Sequence, residues 1–182
     1  MTKAQLTVLA GPTAVGKGTV VAALTKRYPT LNVSVSATTR DPRPGELNGV
    51  HYYFVSAQEF DAMIERGDML EWALVHGKNK YGTPRGPVDE ALAAGKPVLL
   101  EIDLAGARQV RTNRPDAQFI FLAPPSWEEL ERRLIGRGTE GPEEQARRLA
   151  TARVELEAAS EFDHVVINDD VERAVDELAR LI

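Results

Sequence analysis

"LAGPTAVGKGTVV", residues 9–21, runs from an apolar stretch into a helical pattern through a loop built on Gly11, Gly16, Lys17 and Gly18. A glycine, four free positions and then Gly-Lys is the spacing of a phosphate-binding loop, in which backbone amides converge on an anion and the lysine reaches its outer oxygens. Gly18 stands where such loops carry a hydroxyl, and Thr19 follows one position late. On this reading Gly11, Pro12, Thr13, Ala14, Val15, Gly16, Lys17, Gly18 and Thr19 surround the phosphates of a nucleotide. The helix expected from Thr19 to Arg27 turns its positive dipole end to the same point. The competing reading, a glycine turn with a solvated lysine, leaves the flanking strand and helix unexplained.

Working outward, short apolar runs recur at 6–10, 32–36, 97–103, 118–123 and 164–168, separated by helix-length spacers. Near-continuous apolar strands with such spacers predict an α/β fold whose parallel sheet is covered on both faces. In the last spacer Val171, Ala174, Val175, Leu178, Leu181 and Ile182 fall at steps of three and four, which predicts a terminal amphipathic helix. The rhythm breaks between about 38 and 85. There "TTRDPRPGELNG" is rich in turn formers, and "VHYYFV" and "EWALVHG" read as strands around the helical "AQEFDAMIERG". This segment reads as a small α/β insertion in a core of 1–37 and 86–182. The glycine-rich "GRGTEGPEEQ" reads as a flap between helices, a lid of about 136–147.

Composition narrows the chemistry. A chain of 182 residues, 43% hydrophobic and 27% charged, is long enough for one domain with its own core. With a net charge of -5, any anion site has to be local, and neither nucleic acid nor an acidic membrane is an expected partner. The absence of cysteine excludes thiolate metal sites and cysteine nucleophiles. The first eleven residues, with one lysine and an apolar run cut by Gly11-Pro12, argue against a signal peptide or a membrane span, so a cytoplasmic location is expected.

The stretch "SVSATTRDPRPGELNGVHYYFVS", followed in order by "EWALVHGKNKYGTP", "LLEIDLAGARQV", "FIFLAPPSWEELERRLIGRGTE" and "VINDD", resembles the guanylate kinases over essentially the whole chain. The resemblance implies ATP-dependent phosphorylation of GMP on a three-layer phosphate-loop kinase fold with a GMP-binding insertion and a helical lid. It implies ATP as co-substrate, Mg2+, and small-molecule partners only: ATP and GMP, with dGMP a candidate acceptor and no obligate protein partner. By the same resemblance Arg40, Arg43, Tyr52 and Tyr81 hold the GMP phosphate, a role that suits guanidinium forks and hydroxyl donors. Glu71 would accept the N1–H and 2-amino hydrogens that guanine presents where adenine presents an acceptor, with Ser36 and Thr83 completing the base contacts.

In "VLLEIDLAG" a period of two points Glu101 and Asp103 to one side of a strand end, a costly place for paired acids unless a cation or donors face them. The resemblance sets both between guanine and the magnesium region as GMP contacts. Asp103 through water, and the late hydroxyl of Thr19, are the candidate magnesium contacts, since that ion keeps several waters; which acid serves base and which serves ion stays open. Lys17, Arg133, Arg137 and Arg148 match the groups that surround the transferring phosphoryl. Asn168 matches a turn near adenine, and a helix N-cap is its alternative role. His51, His76 and His164 read as surface or strand-edge residues, Trp72 and Trp127 as packing residues. The competing functions are a phosphate-loop kinase for another nucleotide or metabolite, and a non-catalytic peptide-binding module of the same fold. Glu71 with Arg40 and Arg43 argues against the first, Lys17 with the lid arginines against the second.

Overall fold

The strand before the phosphate loop, β1 (Leu6–Ala10), is buried at every position, so it needs a partner on each edge and a layer on each face. The computed structural model describes residues 4–136 and 141–182. In chain order the elements after β1 are α1 (Lys17–Arg27), β2 (Asn32–Val33), β3 (Ala37–Thr38), β4 (Tyr53–Phe54), α2 (Ala57–Glu65), β5 (Met69–Val75), β6 (Asn79–Pro84), α3 (Arg85–Ala93) and β7 (Val98–Glu101). They continue with α4 (Leu104–Asn113), β8 (Gln118–Ala123), α5 (Trp127–Ile135), α6 (Pro142–Glu157), a 3-10 turn (Ala158–Glu161), β9 (His164–Ile167) and α7 (Val171–Leu181).

The central sheet has the order β2-β7-β1-β8-β9, and every pairing in it is parallel. Alternation along each strand divides the core in two. Leu6, Val8, Val98, Leu100 and Phe119 pack with Val88, Ala91, Ala107 and Val110 of α3 and α4. Leu9, Leu99, Ile120 and Leu122 pack on the other face with Val20, Val21, Leu24, Val175 and Leu178 of α1 and α7. This is the expected three-layer arrangement, and it sets the loop after β1 at the carboxyl end of the middle strand, where α/β sheets bind ligands. Among the described residues no helix is long and apolar enough to cross a membrane.

Residues 37–84 carry a second sheet, order β4-β3-β6-β5, over which α2 packs Phe60. Several local expectations are corrected here. The run 32–36 is no single strand: after Val33 the chain leaves the central sheet and enters the second at Ala37. "VHYYFV" is extended only at Tyr53–Phe54. "NKYGTP" forms β6, which the turn-rich composition conceals, antiparallel to β5 across a turn with His76 and Gly77 at φ 51 and 64. α1 begins at Lys17, two residues before the expected start. Of the expected lid, residues 142–147 are the opening turns of α6, with Pro142 in its first turn, and residues 137–140, among them Arg137, lie outside the described residues.

Candidate active site

The phosphate loop keeps its shape through close contacts only glycine permits. A side chain at Gly11 would meet the Leu122 carbonyl oxygen at 2.4 Å, and Gly16, at φ 95, lies against the Asn168 amide, 2.8 Å from where a Cβ would stand. Gly16 is the N-cap of α1 and supplies no side chain to cap it, so the first-turn amides of the helix face the loop's hollow. The carbonyl of Val15 is turned outward and held twice, by Asn168 Nδ2 at 2.8 Å and by Arg133 Nη1 at 3.2 Å. With that carbonyl tied back, the amides are left for an anion.

Lys17 is the charge at this centre. Its Nζ donates to the Gly11 carbonyl at 2.7 Å. Burial lowers its pKa, while the negative fields of Glu155, Glu101 and Asp103 oppose the shift. Burial in turn raises the carboxyl pKa values of Glu155 and Glu101, with Lys17 acting against it. Glu155, on α6, accepts the Thr13 amide at 3.2 Å. Sequence reading missed it because its partner is 142 positions away; its one signal is its place seven residues after Arg148, on the same helical face. Arg148 is half-buried and pairs with Glu144 at 3.6 Å, whereas Arg133 bonds Glu129 at 2.9 Å. Ala14, Gly16, Arg132, Arg133 and Gly136 line an open cleft of about 480 Å³ beside the loop.

The two acids of "VLLEIDLAG" part company. β7 ends at Glu101, and Asp103 becomes the N-cap of α4, its Oδ1 accepting the Gly106 amide at 2.7 Å. Glu101 Oε1 lies beside Gly18 of the phosphate loop, 3.7 Å from where a Cβ would stand. Asp103 instead looks toward the second sheet: its Oδ1 and Glu71 Oε2 both approach Gly106, at 3.1 and 3.0 Å from the same kind of point. The strand alternation that seemed to pair them stops at Glu101, where the helix begins to organise the chain.

On the second sheet the register lines up the residues expected to read the base. Glu71 faces Thr83 across β5 and β6, and Ala37 faces Gly82 across β3 and β6, a register that sets Ser36 next to Thr83 one step on. Residues in one register share a face, and Tyr81, two positions from Thr83, shares it too. Glu71 is 8% exposed and accepts the Thr83 hydroxyl at 2.6 Å. Its carboxyl pKa is raised chiefly by burial, and secondarily by Asp103, against the Thr83 bond. Thr83 is fully buried and Ser36 half-buried.

Arg40, Arg43, Tyr52 and Tyr81 also come together. The Arg40 guanidinium is 5.3 Å from the Tyr52 ring centre, and the Tyr52 and Tyr81 rings meet edge to face at 5.9 Å. Arg40 grips Glu46 with both Nη groups at 2.9 Å, and Glu46 also accepts the Arg43 amide at 2.7 Å. The Arg40 bonds, then the Arg43 amide, lower the Glu46 pKa to about 2. Glu46 is the second residue that sequence reading missed; a carboxylate three positions after Arg43 in the same turn-rich stretch was the available signal. The structure thus brings a carboxylate onto the guanidinium assigned to a phosphate.

Asn168 sits 4% exposed with its amide committed to Val15, so in this structure it supports the phosphate loop. The N-cap of α7 is Asp170, which accepts the Arg173 amide, and not Asn168. Trp72 packs in the insertion with Phe60 and Trp127 against Leu130 and Leu134, while His51, His76 and His164 are exposed. Among the described residues no group of three or more His, Asp or Glu side chains is arranged to hold a metal by itself.

The family model for guanylate kinase matches residues 3–182. The chain belongs to the guanylate kinase family. It is 61% identical over 177 residues to the guanylate kinase of Leifsonia xyli, a match covering 97% of this chain and 70% of that protein. It is likewise 61% identical over 178 residues to the guanylate kinase of Thermobifida fusca, covering 98% and 90%. The crystal structure of guanylate kinase from Anaplasma phagocytophilum superposes with a TM-score of 0.75 at 32% identity, over 100% of this chain and 85% of that one. A shikimate kinase from Bacteroides thetaiotaomicron, at 15% identity and a TM-score of 0.51 over 97% of both chains, shares the fold alone. Membership of the guanylate kinase family supports a nucleotide kinase function.

Proposed function

We propose that the protein transfers the terminal phosphoryl group of ATP to GMP, giving ADP and GDP. The observation that carries this reading is a buried carboxylate, Glu71, that meets Asp103 over Gly106 at the start of α4, while Glu101, two residues before Asp103, lies beside the loop that holds Lys17. A purine monophosphate whose base is read at Glu71, Thr83 and Ser36, and whose phosphate lies on Arg40, Arg43, Tyr52 and Tyr81, turns a phosphate oxygen toward the phosphate loop. ATP takes the loop from Gly11 to Thr19, with the cleft beside Arg133 for the rest of the nucleotide.

The transfer needs few groups. A phosphate oxygen of GMP forms the new bond to phosphorus as the bond to the ADP oxygen breaks, and no proton has to move, which accounts for the lack of any nucleophile–histidine pair in the cleft. Charge in the transition state is spread over oxygens, so the protein's work is positioning and neutralisation. Lys17, Arg133 and Arg148 supply it, with Arg137 assigned the same task by family resemblance. Magnesium would be held, through retained waters, by the Thr19 hydroxyl and the Asp103 carboxylate, hard oxygens suited to an ion that leans on phosphates. When bound, it supplies further neutralisation of the phosphate oxygens.

An ADP-release assay with ATP and a panel of GMP, AMP, CMP and UMP, with and without magnesium, tests the reading. Turnover is expected with GMP far above the others; equal or greater turnover with another acceptor defeats it. Arg40→Ala is expected to raise the KM for GMP by roughly 10- to 100-fold, the scale of a lost charge-assisted bond, with the KM for ATP almost unchanged. A KM for ATP that rises in parallel would remove Arg40 from the GMP site.

A further inference from the structure

In the second sheet β5 has a strand neighbour on one side only, β6. The Trp72 amide and carbonyl and the Leu70 carbonyl face the open edge, on either side of Glu71, which is paired with Thr83 of β6 just after an irregularity in the register. That edge is closed by side chains of α4, a helix of the central core. Gln109 Oε1 accepts the Trp72 amide at 3.0 Å while its Nε2 donates to the Trp72 carbonyl at 2.9 Å. Asn113 Nδ2 donates to the Leu70 carbonyl at 2.8 Å. One primary amide thus makes the two bonds that a neighbouring strand would make, and a second amide one turn later makes the next.

These bonds bracket Glu71. Gly106, Gln109 and Asn113 are spaced three and four apart, so they lie on one face of α4. Gly106 meets the Glu71 carboxylate, Gln109 holds the residue after it and Asn113 the residue before it. The same helix is anchored at its start by Asp103. The proposed base-reading carboxylate is therefore located from the core as well as from the insertion, whose Thr83 hydroxyl it accepts.

We infer that Gln109 is a specificity-positioning residue: its two bonds to the Trp72 backbone set the reach of the Glu71 carboxylate toward the guanine edge. The inference rests on the proposed role of Glu71. A displacement of about 1 Å at a positioning contact costs up to roughly 100-fold, and the cost falls on the ligand that needs both hydrogen bonds. Inosine monophosphate, which lacks the 2-amino group, has less to lose.

The test compares the intact protein with Gln109→Leu, a helix-compatible variant without hydrogen bonds, and Gln109→Glu, which keeps an acceptor for the Trp72 amide and loses the donor. Gln109→Leu is expected to raise the KM for GMP about 10-fold or more and to shrink the GMP-over-IMP preference about as much, with kcat and the KM for ATP within about twofold; Gln109→Glu falls between. Amide exchange in the unaltered protein is read alongside, and Trp72 is expected to be as protected as the inner strands. A folded Gln109→Leu variant with an unchanged GMP-to-IMP ratio overturns the inference. So does an equal loss for GMP, IMP and ATP, which marks a purely structural role, or a Trp72 amide that exchanges as fast as open loops. Should Gln109→Leu not fold, Gln109→Glu and the exchange data decide. If the unaltered protein fails to phosphorylate GMP, it is the proposed function that falls, a result distinct from any of these.

Discussion

Lys17→Ala is expected to leave a folded protein whose turnover with ATP and GMP drops by roughly 100- to 1,000-fold, the scale of removing one preorganised donor from a phosphoryl site. The fold survives because the loop is held by other contacts: Asn168 and Arg133 on the Val15 carbonyl, Glu155 on the Thr13 amide, and Gly11 against β8. The ammonium itself donates within the loop to Gly11 and is costly to bury, so its loss releases a desolvation cost as it removes the bond. Circular dichroism and a melting curve, run beside the coupled assay, separate the two effects. Near-normal turnover in a folded variant would mean that the loop does not hold the transferred phosphate.

Glu71→Gln is expected to convert the proposed base reader. A carboxylate offers acceptors only, which suits the N1–H and 2-amino hydrogens of guanine; an amide offers one acceptor and one donor, which suits adenine's Watson–Crick edge. The GMP-over-AMP ratio of kcat/KM is expected to fall by about three orders of magnitude, since sites built around hydrogen bonds discriminate on that scale. Stability moves the other way. Burial raises the Glu71 pKa, so its ionised form is disfavoured in the folded state. A raised carboxyl contributes stability below its unfolded pKa and loses it as pH rises through the folded value, so at pH 7 the neutral glutamine is tolerated as well or better.

The same shift gives a pH signature. On the proposed role GMP binds to ionised Glu71, so the KM for GMP is expected to climb on acidification already above the ordinary glutamate range. The second ionisation of the GMP phosphate, near pH 6, contributes to both proteins. The difference between the two pH profiles therefore isolates Glu71. Identical profiles, or an unchanged GMP-to-AMP ratio, would take base reading away from this residue.

How much of this was legible in the chain alone follows from the range over which each signal acts. The phosphate loop is local: one strand, Gly11, Gly16 and Lys17 at fixed spacing, and a helix, all within residues 6–27. The layered core was equally plain, because buried parallel strands must be apolar on both faces, and the amphipathic stripe of α7 needs only its own eleven residues. Strand β6 was hidden because a lysine, a glycine and a proline say turn until a neighbouring strand supplies the ladder.

By itself, then, the sequence determined the fold class, the phosphate loop and the family, each from residues adjacent in the chain or ordered along it. Only the tertiary structure decided which groups face one another across long separations. It sends Glu101 to the phosphate loop and Asp103 to Glu71, turns Asn168 inward to Val15, lays Glu155 on Thr13 and closes the β5 edge with Gln109. The physical reason is that a hydrogen bond depends on distance and direction in space, and neither is encoded in spacing once a strand ends and the chain changes layer.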